Sequence, residues 1–140
     1  MREMRDYPEP GEAWLQYLRR TGQFCCLILL AWGEIEFHID QIVAKEFGLY
    51  YEDKKARILL DLPFGKKLEF LKKQGVICKE EYDVINKFQQ RRNKLFHGKE
   101  EPFFLTLSDK EKDTLMDNAV DAAQLALDIG LGCHGKRDKE

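Results

Sequence analysis

The run Phe88-Gln-Gln-Arg-Arg-Asn-Lys-Leu-Phe-His97-Gly98 brings an arginine, an amide and an imidazole together within six residues, Arg92 to His97. At about 100° per residue, Val84, Ile85, Phe88, Leu95 and Phe96 fall on one helix face, and Arg92 falls near its middle. A guanidinium thus stands where a leucine would pack. Burying an unpaired charge is costly, so Arg92 needs a carboxylate, a phosphate or a water-filled cleft beside it. Next to this face Tyr82, Asn86, Gln89, Asn93 and His97 form a polar stripe, with Asn93 and His97 neighbours at i and i+4. An imidazole that titrates near neutral pH can give or take a proton, and an arginine can offset charge on a phosphate. That pair needs no metal.

These residues require a helical scaffold. Residues 1–11 read as a charged, proline-punctuated lead-in, and the helical pattern starts near Glu12 with Trp14, Leu15, Tyr17 and Leu18, interrupted at Gly22. A long central helix is expected over 23–47, stopped by Gly48. Ile28, Ala31, Trp32, Ile35, Ile39, Ile42 and Val43 make one apolar stripe on it, and Cys26, Leu30, Phe37 and Ala44 make a second on the opposite side. A helix apolar on two sides is expected to be covered on both. Residues 50–60 read as a short helix or a connector, Pro63 as the opening of a helix ended by Gly75, and 79–96 as a strongly patterned helix. After a loop carrying Phe103 and Phe104, Ser108-Asp-Lys-Glu111 is a capping box for a last helix to Ile129, with an alanine seam at 119, 122, 123 and 126. Residues 131–140 are expected to be a mobile tail. Alternating β patterns are absent. The fold expected is an all-α, up-and-down bundle of four to five helices over 12–130.

Composition narrows the function. Of 140 residues, 23 are Lys or Arg and 25 are Asp or Glu, so any nucleic acid must be met by a local patch and not by a uniformly basic coat. Cys25, Cys26, Cys78 and Cys133 lack the two-residue spacing of a zinc knuckle or redox pair, and the adjacent Cys25 and Cys26, inside an apolar run, read as small buried hydrophobes in a reducing compartment. A di-metal bundle site would need Glu-x-x-His pairs, and neither His38 nor His97 has a glutamate at that spacing. No cofactor and no metal is implied. The apolar run from Phe24 to Trp32 is far below the roughly 20 residues of a spanning helix, so a cytoplasmic protein without membrane contact is expected.

The segment Arg92-Asn93-Lys94-Leu95-Phe96-His97 resembles the signature of the HEPN superfamily (higher eukaryotes and prokaryotes nucleotide-binding domain): an arginine, four to six residues, then a histidine, with a polar residue after the arginine. Its place in the penultimate helix of an all-α chain strengthens the likeness, which spans roughly residues 12 to 130. The resemblance implies a homodimer that brings the Arg and His of both subunits into one cleft. It also implies a metal-independent endoribonuclease of the toxin–antitoxin or defence type, with a possible cognate antitoxin as partner. In that reading His97 moves the proton of a ribose 2′-hydroxyl or of the leaving 5′-oxygen, Arg92 steadies the phosphate, and Asn93 orients it. Lys87, Arg91 and Lys94, which share one side of the helix, would guide the RNA backbone.

Plainer readings stand beside these. Arg92 can pair with Glu34, Glu36 or Asp40 of the long helix, and His97 can cap its own helix end. Lys87, Arg91 and Lys94 can be a solvated face. His38, four residues after Glu34, reads either as a neighbour of the cleft or as a hydrogen-bonded structural histidine. At the level of function the alternative is a non-catalytic dimeric binding or scaffolding module.

Overall fold

The computed structural model describes residues 10–46, 54–96 and 107–132. Those residues form six helices and no strand: α1 (Pro10–Arg20), α2 (Phe24–Glu46), α3 (Lys54–Leu60), α4 (Phe64–Lys73), α5 (Lys79–Phe96) and α6 (Asp109–Gly130). The all-α class stands. The helix count exceeds the four to five expected, because α1 is separate from α2 and the 50–60 stretch supplies α3.

Proline opens α1 two residues before the expected start, at a position where its missing N–H has no intrahelical partner to lose. Gly22 ends it: φ is +70° there, and the Gln23 N–H reaches back to the Leu18 carbonyl at 3.0 Å. That six-to-one bond across a left-handed glycine is a Schellman closure, and it turns the chain directly into α2. Gly75, at φ +75°, closes α4 in the same way, with Val76 N–H on the Leu71 carbonyl at 3.0 Å.

The expected core stripe of α2 is the core. Ile28, Ala31, Trp32, Ile35, Ile39, Ile42 and Val43 are all buried. They lie chiefly against α6, whose buried Ala119, Ala122, Ala123 and Ala126 let the two backbones approach closely. The second α2 stripe is different. Cys26 is exposed and Phe37 is 57% exposed, joined by Leu29 at 51%, whereas Leu30 and Ala44 are half-buried, so among the described residues this face is covered only in part.

Polar contacts pin the smaller elements. Arg19 Nε donates to Asp117 Oδ1 at 2.7 Å, tying α1 to α6. Lys67, buried on α4, donates from Nζ to Asp40 Oδ1 at 2.6 Å and to the Leu60 carbonyl at 3.1 Å, joining α4 to α2 and to the end of α3. Pro63 stands just outside α4 as its N-cap instead of within it. At the start of α5 the buried Glu81 accepts from the Cys78 N–H at 2.9 Å. The capping box of α6 forms as expected: Ser108 Oγ accepts from the Glu111 N–H, and Glu111 Oε1 from the Ser108 N–H, both at 3.1 Å. Val84, expected on the apolar face of α5, is 42% exposed and borders a groove between α5 and α6. The expectations for Phe103, Phe104 and most of the 131–140 tail fall outside the described residues. No helix among the described residues is long and apolar enough to cross a membrane.

Candidate functional site

Three helices position Arg92. Phe88 and Ile85 of α5 are buried against the core, and with Leu95 they fix the rotation of α5 so that position 92 points towards α2. There the Arg92 guanidinium carbon stands 5.1 Å from the centre of the Trp32 ring. Trp32 is itself wedged edge-on against Phe64, the first residue of α4, at 4.6 Å, and lies 6.3 Å from Phe88. The arginine that interrupts the apolar face of α5 therefore rests on an aromatic platform, half-buried, with its Nε shielded from solvent. Stacking on an aromatic face favours a planar, weakly hydrated guanidinium over an ammonium. Arg92 Nη1 also donates to Asn93 Oδ1 at 3.2 Å, so arginine and amide form one unit.

Two of the three carboxylates considered beside Arg92 have engagements of their own. Asp40 accepts from Lys67, Glu34 lies 3.3 Å from His38 Nε2, and Glu36 is exposed. The polar stripe of α5 runs against α4 for most of its length: Lys72 Nζ lies 4.1 Å from the centre of the Tyr82 ring, and the Gln89 amide faces Gly65. The contact with α4 reaches as far along the stripe as Gln89, and Arg92 and Asn93, both half-buried, lie beyond it. His97 follows directly on α5 and lies outside the described residues.

No family model matches the chain, and no curated protein or solved structure is similar to it at a significant level. The site is therefore judged on its own geometry.

Lys87, Arg91 and Lys94 lie apart from the Arg92–Asn93 pair, on the α6 side of α5. Arg91 and Lys94 border a groove with Glu111 and Thr114, and Arg91 and Lys87 border a second groove with Asn118 and Asp121. Helix geometry puts Arg91 about 100° round α5 from Arg92. The first groove also holds Lys110 of α6 and keeps an excess of basic side chains, whereas Asp121 offsets part of the charge in the second. His38 is also remote from Arg92. It sits on the flank of α2 that meets α1 and α6, roughly 120° round the helix from Trp32. His38 is thus no neighbour of Arg92, and its polar contact is the one with Glu34, 3.3 Å from Nε2. No group of three metal-ligating side chains occurs among the described residues.

The sequence reading missed Trp32 as the support of Arg92. It appeared only as one member of a core stripe, and nothing in a helical pattern says which core residue will meet a cation from another helix.

Proposed function

We propose that this chain is a HEPN-type module that pairs with a second copy of itself and cuts RNA without a metal. The observation that carries the reading is the Arg92 guanidinium held over Trp32 and bonded to Asn93 near the end of α5. An arginine fixed in this way is prepared to meet a phosphate at no further ordering cost. His97 would take the 2′-hydroxyl proton or return one to the 5′-oxygen, and Asn93 would orient the phosphate. The exposed α2 stripe supports the pairing. Leu29 lies roughly 60° round α2 from Trp32, so two copies meeting through that stripe would bring their Arg92 side chains towards one groove. A nuclease of this kind acts on cytoplasmic RNA and calls for a cognate antitoxin to restrain it.

One observation favours a second reading. Asp121 stands in the groove beside Lys87 and Arg91, which weakens that part of the face as a track for an RNA backbone. A non-catalytic dimeric module that uses Arg92 only to hold an anion would have less need of it.

Purified protein incubated with single-stranded RNA in EDTA distinguishes them. The nuclease reading expects cleavage that falls about a hundredfold in Arg92→Ala and His97→Ala, both retaining wild-type helicity. Variants that cleave as fast as the wild type overturn it. RNA binding without cleavage, lost in Arg92→Ala, establishes the second reading instead.

A further inference from the structure

Gly33 stands well inside α2, and it is exposed. Its φ is not positive, and a β-carbon built on it would meet no atom within 4 Å among the described residues. Neither the backbone nor the packing of those residues therefore calls for glycine, which only proline exceeds in disfavouring a helix interior. We propose that Gly33 is the point at which α2 crosses the α2 of a second copy of this chain, antiparallel and about a two-fold axis.

The side chains around Gly33 are arranged for self-pairing. Among the described residues, α2 has two exposed large apolar side chains, Leu29 and Phe37, which stand four residues before and four residues after the glycine. At about 100° per residue they lie roughly 40° to either side of it, so the three share one face. In an antiparallel pair centred on Gly33, Leu29 of each copy meets the Phe37 of the other. That is the reciprocal pattern of an isologous contact, in which one patch serves both subunits. A glycine at the centre lets the helix axes approach closely enough for the flanking leucine and phenylalanine to interdigitate.

Charge selects the same direction. In the antiparallel register the exposed Glu36 falls opposite Leu30, and Asp40, already engaged by Lys67, falls opposite Cys26, so no carboxylate faces a carboxylate. A parallel pair would set Glu36 against Glu36 and leave Leu29 and Phe37 each beside its own copy. The crossing also bears on the arginine site. Trp32 precedes Gly33 by one residue, so the Trp32–Arg92 unit of each copy would stand at the level of the axis. This crossing rests on the pairing proposed above, but not on the nuclease chemistry.

Sedimentation of the full-length protein against concentration tests it, with disulfide trapping as a second measurement. The wild type is expected to be a dimer, and Gly33→Leu should weaken the pairing about a hundredfold by overpacking the crossing from both copies. At concentrations where both proteins are monomeric, Gly33→Leu should melt no lower than the wild type, because leucine favours a helix. For trapping, Leu29→Cys chains and Phe37→Cys chains, each also carrying Cys26→Ser, should cross-link on mild oxidation faster when mixed than either alone. A monomeric wild type would overturn both the pairing and the crossing. A dimer unaffected by Gly33→Leu, a lower melting point for that variant, or cross-linking no faster in the mixture would overturn the crossing while leaving the pairing to another surface.

Discussion

Lys67 Nζ and Asp40 Oδ1 lie 2.6 Å apart, and the lysine is only 7% exposed. With the Leu60 carbonyl at 3.1 Å the ammonium has two acceptors inside the bundle. This is how α3 and α4, too short to be stable alone, are attached to α2. The attachment has an asymmetric consequence. Removing the aspartate strands a buried cation, whereas removing the cation leaves a carboxylate that reaches water.

Asp40→Ala should therefore lower the unfolding free energy by about 1–3 kcal/mol, at the lower end of buried ion pairs because the Asp40 side chain keeps 37% exposure. Lys67→Met, which replaces the stem and removes the charge, should cost less. Urea denaturation of both variants measures the difference. The reverse order would mean that the lysine stem, and not its charge, anchors α4.

Leu29 and Phe37 are more than half exposed in the single chain, at 51% and 57%. Changing both to Glu should leave the stability of an isolated chain within about 0.5 kcal/mol of wild type. If this face joins two copies, the variant should sediment as a monomer where the wild type sediments as a dimer. A dimer that survives both charges rules out the α2 stripe as the interface.

Ser108→Ala should cost about 1 kcal/mol, as the loss of an N-cap does. Its partner adds a pH signature. The Ser108 backbone N–H, and then its hydroxyl, hold the Glu111 carboxyl below its ordinary value of 4.5. A depressed folded-state pKa stabilises above the unfolded value, and the contribution is lost as pH falls through the lower folded value. The stability gap between wild type and Glu111→Gln should thus be constant at neutral pH and close below pH 4.5. A gap independent of pH would show that the charge contributes nothing to the cap.

Burial pushes the Cys78 thiol above its ordinary value of 9.0, whereas Cys26 is exposed. A raised pKa favours the folded state below pH 9.0 and is lost as pH rises through the folded value. At pH 8, iodoacetamide should modify Cys26 before Cys78, read by peptide mapping. Faster labelling of Cys78 would mean that the start of α5 opens in solution.

Local signals account for most of what could be read in advance. Gly22 and Gly75 were legible as stops because a left-handed turn favours glycine wherever it occurs. Ser108 and Glu111 were legible because a capping box is complete within four residues. The core stripe of α2 was legible because seven apolar residues repeat at helical spacing whatever covers them. The exposure of Val84 was not, since it depends on how α5 and α6 lie against each other. Nor were the partners of Asp40 and Arg92: the aspartate meets a lysine from position 67 and the arginine a tryptophan from position 32, and periodicity within one helix carries no information about distant segments.

The sequence by itself determined the all-α class, the glycine stops, the capping box and the main apolar stripe of α2, because these follow from backbone hydrogen bonding and the period of apolar residues along one segment. Only the tertiary structure decided that Arg92 rests on Trp32, that the basic face of α5 turns towards α6, and that Glu34, His38 and Gln124 share a cavity. Each of these depends on the relative rotation of separate helices, which the packing of the whole core fixes at once.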